Sequence, residues 1–174
     1  MIISIDPGRR GGVCYGEEDS LSVRACTHFQ PKHFQTIHGK KKIFSQKFSE
    51  DLSSFLDVKK VVIEQQQPFP SDSPTTSFSI GLLYASLIHI TTQTFPDAEF
   101  HIMRPQEWQR AIMAHTDALL PSTKETALHF AKKHLPLEQL TPRSCKKPHD
   151  GIADAFCIYY AYLHANTEIK KIFV

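Results

Sequence analysis

The chain has almost no excess of charge: 20 Lys and Arg against 18 Asp and Glu leave a formal +2 over 174 residues. That balance excludes a protein that holds nucleic acid by gross positive charge, so phosphate binding has to come from local patches. Paired cysteines are missing as well. Cys14, Cys26, Cys145 and Cys157 show no C-x-x-C spacing, which removes the common zinc frameworks. Cys14 and Cys157 sit in apolar stretches and read as small core residues. No apolar run is long enough for a bilayer, since the longest, residues 80–90, is short and interrupted. No cationic segment leads into a long apolar one at the start, so the expected setting is reducing, intracellular and cytoplasmic, without a membrane partner.

What is present is the composition of an ordinary globular chain, 41% hydrophobic and 22% charged. One domain over residues 1–174 is expected, with a core held between layers and no internal repeat. Its opening is informative. The apolar run Ile2-Ile3-Ser4-Ile5 ends in Asp6, and Pro7-Gly8 turns the chain at once. Such a pattern predicts a buried strand with an acid at its C-terminal end. A buried carboxylate must be satisfied by turn donors, a metal ion or another cation. On its own, Asp6 fits a simple turn cap equally well.

The rest of the chain favours more than a cap. Residues 13–15 and 21–29 read as two further strands in a hairpin. Residues 30–42, with Pro31 and Gly39, read as a loop. A helix is expected from Ile43 to about residue 56, where Phe44, Phe48, Leu52, Phe55 and Leu56 recur at helical spacing. Val61-Val62-Ile63 then ends in Glu64, repeating the logic of Asp6. In a sheet with neighbouring parallel strands, two such acids converge on one edge, where open α/β sheets bind ligands. Residues 65–77 are rich in Pro, Ser and Thr and read as a substrate-facing loop; residues 78–90 read as a buried helix. Residues 100–103 form a short strand, and Pro105 opens a helix through Trp108 and Ile112. Ser122-Thr123-Lys124-Glu125 is a capping box for a helix to about His134. Residues 135–147 form a basic connector to the last helix.

That last helix supplies a third acidic place. Asp150 and Asp154 are one turn apart on one face, and Asp154 lies among Ala153, Ala155 and Phe156. Like charges at this spacing repel, and a lone acid in an apolar segment is desolvated. A divalent cation between these acids and the strand-end pair removes both penalties. Oxygen-only ligands suit Mg²⁺ or Mn²⁺, and several carboxylates suit a two-metal phosphoryl-transfer site. His149 could ligate, move a proton or cap the helix. Two basic groups, Lys40-Lys41-Lys42 and Arg143 with Lys146 and Lys147, could meet phosphates or simply be solvated.

In these residues the chain resembles the RuvC-type Holliday junction resolvases of the ribonuclease H-like nuclease superfamily. The likeness rests on Ile5-Asp6-Pro7-Gly8 with Gly12, on Ile63-Glu64 and on Phe78-Ser79-Ile80-Gly81. Lys124 and Asp150-Gly151-Ile152-Ala153-Asp154-Ala155 complete it, so it spans nearly the whole chain. It implies an α/β fold with a mixed five-stranded sheet (β-β-β-α-β-α-β-α-α) and helices on both faces. It also implies a homodimer acting on four-way junction DNA with two Mg²⁺ or Mn²⁺ per site. Hydrolysis would leave 5′-phosphate ends during recombination and repair. Asp6 would be the ligand shared by both metals, with Glu64 and Asp154 completing the site. Part of the family has its fourth residue three before the last Asp, which is Gly151 here; Asp150 and His149 are the alternatives. Lys124 resembles a lysine of the active edge, catalytic or in contact with DNA. Arg9, Arg10, Arg104, Lys124, Arg143, Lys146 and Lys147 are the candidate phosphate contacts, and Phe69 could reach into a strand-exchange point.

Three rivals remain. Sugar kinase and actin-like ATPases share an Asp-x-Gly opening, but 174 residues leave no room for their duplicated domain. A catalytically weak DNA-binding subunit of the same fold is disfavoured by the intact acids. A nuclease of this fold acting on other branched DNA or on RNA is left open.

Overall fold

The computed structural model of the protein describes residues 1–37, 41–118, 120–164 and, as backbone, 170–172. Gly39 and Lys40 lie outside the described residues. The main sheet holds six strands in the order β3-β2-β1-β6-β7-β8. They are β1 (Ile2–Asp6), β2 (Gly12–Gly16), β3 (Val23–His28), β6 (Lys60–Glu64), β7 (Glu99–Met103) and β8 (Lys170–Ile172). Strands β1, β6 and β7 run parallel, and β2, β3 and β8 add antiparallel partners at the two sides. The mixed α/β fold expected from the sequence is therefore present: its five strands form the sheet, and β8 extends one edge.

Alternation along the strands assigns the two faces. Ile3, Ile5, Val61 and Ile63 pack with Phe48, Leu52 and Leu87 on one side, under α1 (Gln46–Leu52) and α2 (Pro74–Thr94). Ile2, Val62 and Met103 face the other way, into a core with Trp108, Phe130 and Phe156. Here lie α3 (Pro105–His115), α4 (Thr123–His134), the short α5 (Leu137–Leu140) and α6 (Asp150–His164). Ser4 Oγ donates 2.7 Å to the Ala155 carbonyl, fixing α6 across β1. By the same alternation Asp6 and Glu64 share the α6 face.

Four local expectations are corrected. The expected loop 30–42 contains a 3₁₀ turn at Pro31–His33 and a separate two-stranded hairpin, β4 (Phe34–Ile37) with β5 (Lys41–Phe44). Its alternation is weak because Thr36 and Lys42 share a face with Phe34 and Phe44, whose rings pack with that of Phe29. The first helix spans only Gln46–Leu52, because Ser53 and Ser54 turn their hydroxyls onto the Ser49 and Asp51 carbonyls and compete with the helix. Asp57 follows at φ 54°. The second helix starts earlier than expected, at Pro74, inside the supposed loop. Ser73 accepts from Thr76 N–H, and proline is pre-organised for the first turn. Finally, the connector 135–147 is interrupted by α5. Among the described residues no helix is long and apolar enough to cross a membrane.

Candidate active site

Asp6 and Glu64 end neighbouring parallel strands whose register pairs Ser4 with Val62 and Ile5 with Ile63. Continuing that register sets the two acids side by side at the C-terminal edge of the sheet. The chain then crosses in front of α6. The Gly11 backbone forms a bridge to Gly151, and a Cβ on Gly151 would stand 2.1 Å from the Arg10 carbonyl oxygen. Only glycine permits this approach. The contact sets the first turn of α6, with Asp150 and Asp154, against the Asp6 turn.

Asp6 and Glu64 are buried, Asp154 is half-buried, and all three are poorly satisfied. Asp6 accepts one bond, from Gly8 N–H at 2.9 Å. Burial pushes its pKa up to about 6, and Asp150 adds to the rise. Glu64 accepts from the Trp108 indole N–H at 2.7 Å and from Gln66 at 3.3 Å. Burial, then the charge of Asp6, carries Glu64 to about 7. Asp154 forms no hydrogen bond or ion pair among the described residues. Burial, then Asp6 and Glu64, lifts it to about 8. Each of the three acids is therefore raised first by burial and then by the charge of at least one neighbouring acid.

Asp150 stands apart in character. Lys124 Nζ and Arg10 Nη2 lie 3.3 and 3.5 Å from its carboxylate. Burial opposes its charge, but those two cations outweigh it and hold the pKa below the ordinary value. Lys124 is 72% exposed, reaches the site from the first turn of α4 and lowers the pKa of Asp6 and Asp154. His149 is turned elsewhere. Its ring lies 4.8 Å from that of His28, its Nδ1 is buried without a partner, and burial lowers its pKa, with His28 adding to the effect. Of the two alternatives for a fourth member, Asp150 shares the electrostatics of the acidic group and His149 does not. Gly151, the position the resemblance points to, has no room for a side chain.

The remaining basic positions divide. Arg9 and Arg10 lie in the turn after Asp6 and line cavities beside it. Arg104 caps α3 and lines a cavity with Gln65, Gln66 and Gln67, just past Glu64. Arg143, Lys146 and Lys147 are exposed on the loop before α6. Phe69 is exposed in the loop after β6. Two contributors are missed by sequence reasoning: Gln66, and Trp108, which reads there only as a core residue. A buried indole N–H needs an acceptor, and that was the available signal.

The donor set is oxygen-only, acidic and under-satisfied, which fits a hard divalent cation. Among the described residues no three His, Cys, Asp or Glu side chains are yet drawn together tightly enough to enclose an ion.

No protein-family model matches the sequence, and no curated protein matches it. Among solved structures, the chain is similar to Thermus thermophilus RuvC in complex with Holliday junction substrate, at 13% identity and a TM-score of 0.55. A second Thermus thermophilus RuvC structure gives 16% identity and the same TM-score. Both alignments cover 98% of this chain and 99% of the other. At this identity the likeness is one of fold: the chain has the ribonuclease H-like architecture of RuvC.

Proposed function

We propose that this protein is a metal-dependent endonuclease that hydrolyses DNA phosphodiesters in branched structures, with the four-way junction as its preferred substrate. The observation that carries the reading is the gathering of Asp6, Glu64 and Asp154 at one sheet edge, the first two buried and the third half-buried, with all three pKa values raised by burial and by a neighbouring acid. Such a group is costly unless positive charge enters it. Asp6, Glu64, Asp154 and Asp150 would hold two Mg²⁺ or Mn²⁺. When bound, such ions supply Lewis acidity and a water of lowered pKa for attack on phosphorus.

The chain's own residues have distinct tasks. Trp108 and Gln66 fix the Glu64 carboxylate so that it meets its ligand in one orientation. Gly8 N–H orients Asp6 in the same way. Lys124 and Arg10 keep Asp150 ionised and carry positive charge at the exposed rim, where a phosphodiester approaches. Arg9, Arg104, Arg143, Lys146 and Lys147 would position the DNA arms through phosphates without reading sequence. In-line displacement with the 3′-oxygen leaving gives 5′-phosphate ends. A homodimer would present two such sites to opposing strands. Its support is an unpartnered face of α2, where Phe78 is 57% exposed and Gly81 has nothing within 4 Å of a Cβ position. A DNA substrate and four free cysteines fit an intracellular, DNA-associated protein in recombination and repair.

The test is cleavage of matched four-way junction, fork, RNA–DNA hybrid and linear duplex substrates in Mg²⁺ or Mn²⁺. The junction is cut fastest, and Asp6→Asn or Asp154→Asn lowers the rate at least about a hundredfold. Junction binding without cleavage by the wild type would instead mark a DNA-binding subunit, and undiminished cleavage by both variants would refute the site.

A further inference from the structure

The β4–β5 hairpin and the first turns of α2 enclose a groove that the hydrolytic site does not use. Phe44 N–H donates 3.0 Å to Ser86 Oγ and ties the hairpin to the helix. Two adjoining cavities of about 400 and 530 Å³ lie along this seam and share Arg9, Lys42 and Leu83. Their linings divide by chemistry. Arg9, Arg10, Lys41 and Lys42 supply four cations, and no acidic side chain lines either cavity. Arg9, Lys41 and Lys42 form no ion pair among the described residues, and the one pair of Arg10 is with Asp150. Thr75, Thr76 and Ser79 place hydroxyls along one rim. The floor is apolar, from Ile80 and Leu83 to Phe34. Lys41 Nζ stands 4.4 Å from the centroid of the exposed Phe78 ring.

We infer that this groove takes an unpaired DNA strand, with its phosphates on Arg9, Lys41 and Lys42 and its sugars and base faces over the apolar floor. Charge complementarity selects a polyanion: Arg9, Lys41 and Lys42 have no acidic partner among the described residues, which leaves an anionic backbone as the fitting occupant. The floor then selects among polyanions. A duplex keeps its base faces stacked within itself, so it could offer only phosphates here and leave the apolar surface wet. An unpaired strand offers both, the combination that single-strand grooves use. Position gives the direction. Arg9 and Arg10 belong to the tight turn after Asp6, closed by Gly11 N–H to the Gly8 carbonyl at 2.8 Å. A strand lying in the groove therefore leads straight to the acidic edge. The inference deepens the nuclease reading, on which it rests for the strand's destination: the favoured substrate has an unpaired segment next to the scissile bond.

Binding can be measured without cleavage, by fluorescence anisotropy in EDTA with a labelled oligothymidylate and a duplex of equal length. The wild type binds the single strand more tightly. Lys41→Ala/Lys42→Ala weakens that binding at least about fivefold and flattens the slope of log K against log salt by about 1.4, the loss of two single-strand phosphate contacts. Lys41→Arg/Lys42→Arg restores it. Thr76→Glu serves as a second variant, since a glutamate three residues after Ser73 completes a capping box and supports the helix while setting a negative charge on the rim; it too weakens single-strand binding. Unchanged affinity and slope in both variants, or equal losses for single strand and duplex, overturns the inference. The two readings fail separately. Lysine-dependent oligothymidylate binding by a protein that cuts nothing would sustain the groove and sink the nuclease. Junction cleavage abolished by Asp6→Asn, with lysine-independent binding, would do the reverse.

Discussion

Trp108 is the only tryptophan in the chain, and its indole N–H is committed to Glu64 across 44 residues of sequence. Replacing it with Phe keeps most of the packing and removes the donor. Trp108→Phe is expected to lower cleavage about tenfold and raise the Mg²⁺ concentration for half-maximal rate, as loss of an orienting partner does; an unchanged metal titration would make Trp108 a core residue only. Asp154 gives a second test, this one in pH. Its pKa rises from 3.8 to about 8 on folding. Below 3.8 it is protonated in both states and costs nothing. Between 3.8 and about 8 the unfolded chain has lost the proton that the folded chain keeps, so stability falls as pH rises. Glu64 and Asp6, raised to about 7 and about 6, act in the same direction. In EDTA the melting temperature should therefore decline from mildly acidic to mildly alkaline pH, and Asp154→Asn should flatten the decline. Added Mg²⁺ should raise the wild-type melting temperature most at the alkaline end. At this scale the acids were visible in the sequence as a set: Asp6 and Glu64 each end an apolar run, and Asp154 interrupts one, although Asp6 alone reads equally well as a turn cap. Trp108 and Gln66 were not, because their importance lies in a partner on another element.

Among the elements, the most constrained junction is that of the β1–β2 turn with the start of α6. Gly151→Ala puts a methyl group into the Arg10 carbonyl and should cost about 3 kcal/mol, the upper range for overpacking; denaturant unfolding measures it. A melt indistinguishable from wild type would mean that the turn is free to lift away. The strands carrying Asp6 and Glu64, and the Ser122-capped α4, follow from the sequence because apolar runs, caps and turn residues agree there. The β4–β5 hairpin does not. Phe34 and Phe44 share one face with Thr36 and Lys42, and the other mixes Gln35 and Lys41 with Ile37 and Ile43, so neither face reads as an apolar stripe. For α1 the periodicity continues into Phe55, but that ring leaves the helix and stacks on Tyr15 at 4.8 Å. Apolar spacing reports which residues are buried, not which backbone buries them. Pro74 misled in the opposite sense: a proline that breaks a helix interior is favourable in its first turn.

At the scale of the whole molecule, two cores of unequal content lie on either face of one sheet, and α6 belongs wholly to one of them. The unpartnered face of α2 lies on the opposite side, so pairing there would leave both acidic edges open. Gly81→Arg on that face should leave the melting temperature nearly unchanged, since arginine favours helix over glycine and the site is open. It should convert a dimer to monomers in sedimentation velocity; wild-type protein already monomeric at working concentration would remove the dimer from the proposal. Of this scale the sequence displayed the order of strands and helices. Their lateral arrangement, with β1 between β2 and β6, came from the parallel register of two acid-tipped strands.

The bridge between Gly11 and Gly151 also sets a schedule. A nascent chain reaches Asp6 and Glu64 early, yet it has neither Asp150 nor Asp154 until α6 emerges from the ribosome. Until those last turns dock onto the glycine turn, the polypeptide holds only half of the acidic group, and the burial and mutual repulsion that raise the pKa of Asp154 have not begun. The tie that shapes the acidic edge therefore forms last, after synthesis has passed the helix that carries Asp150 and Asp154.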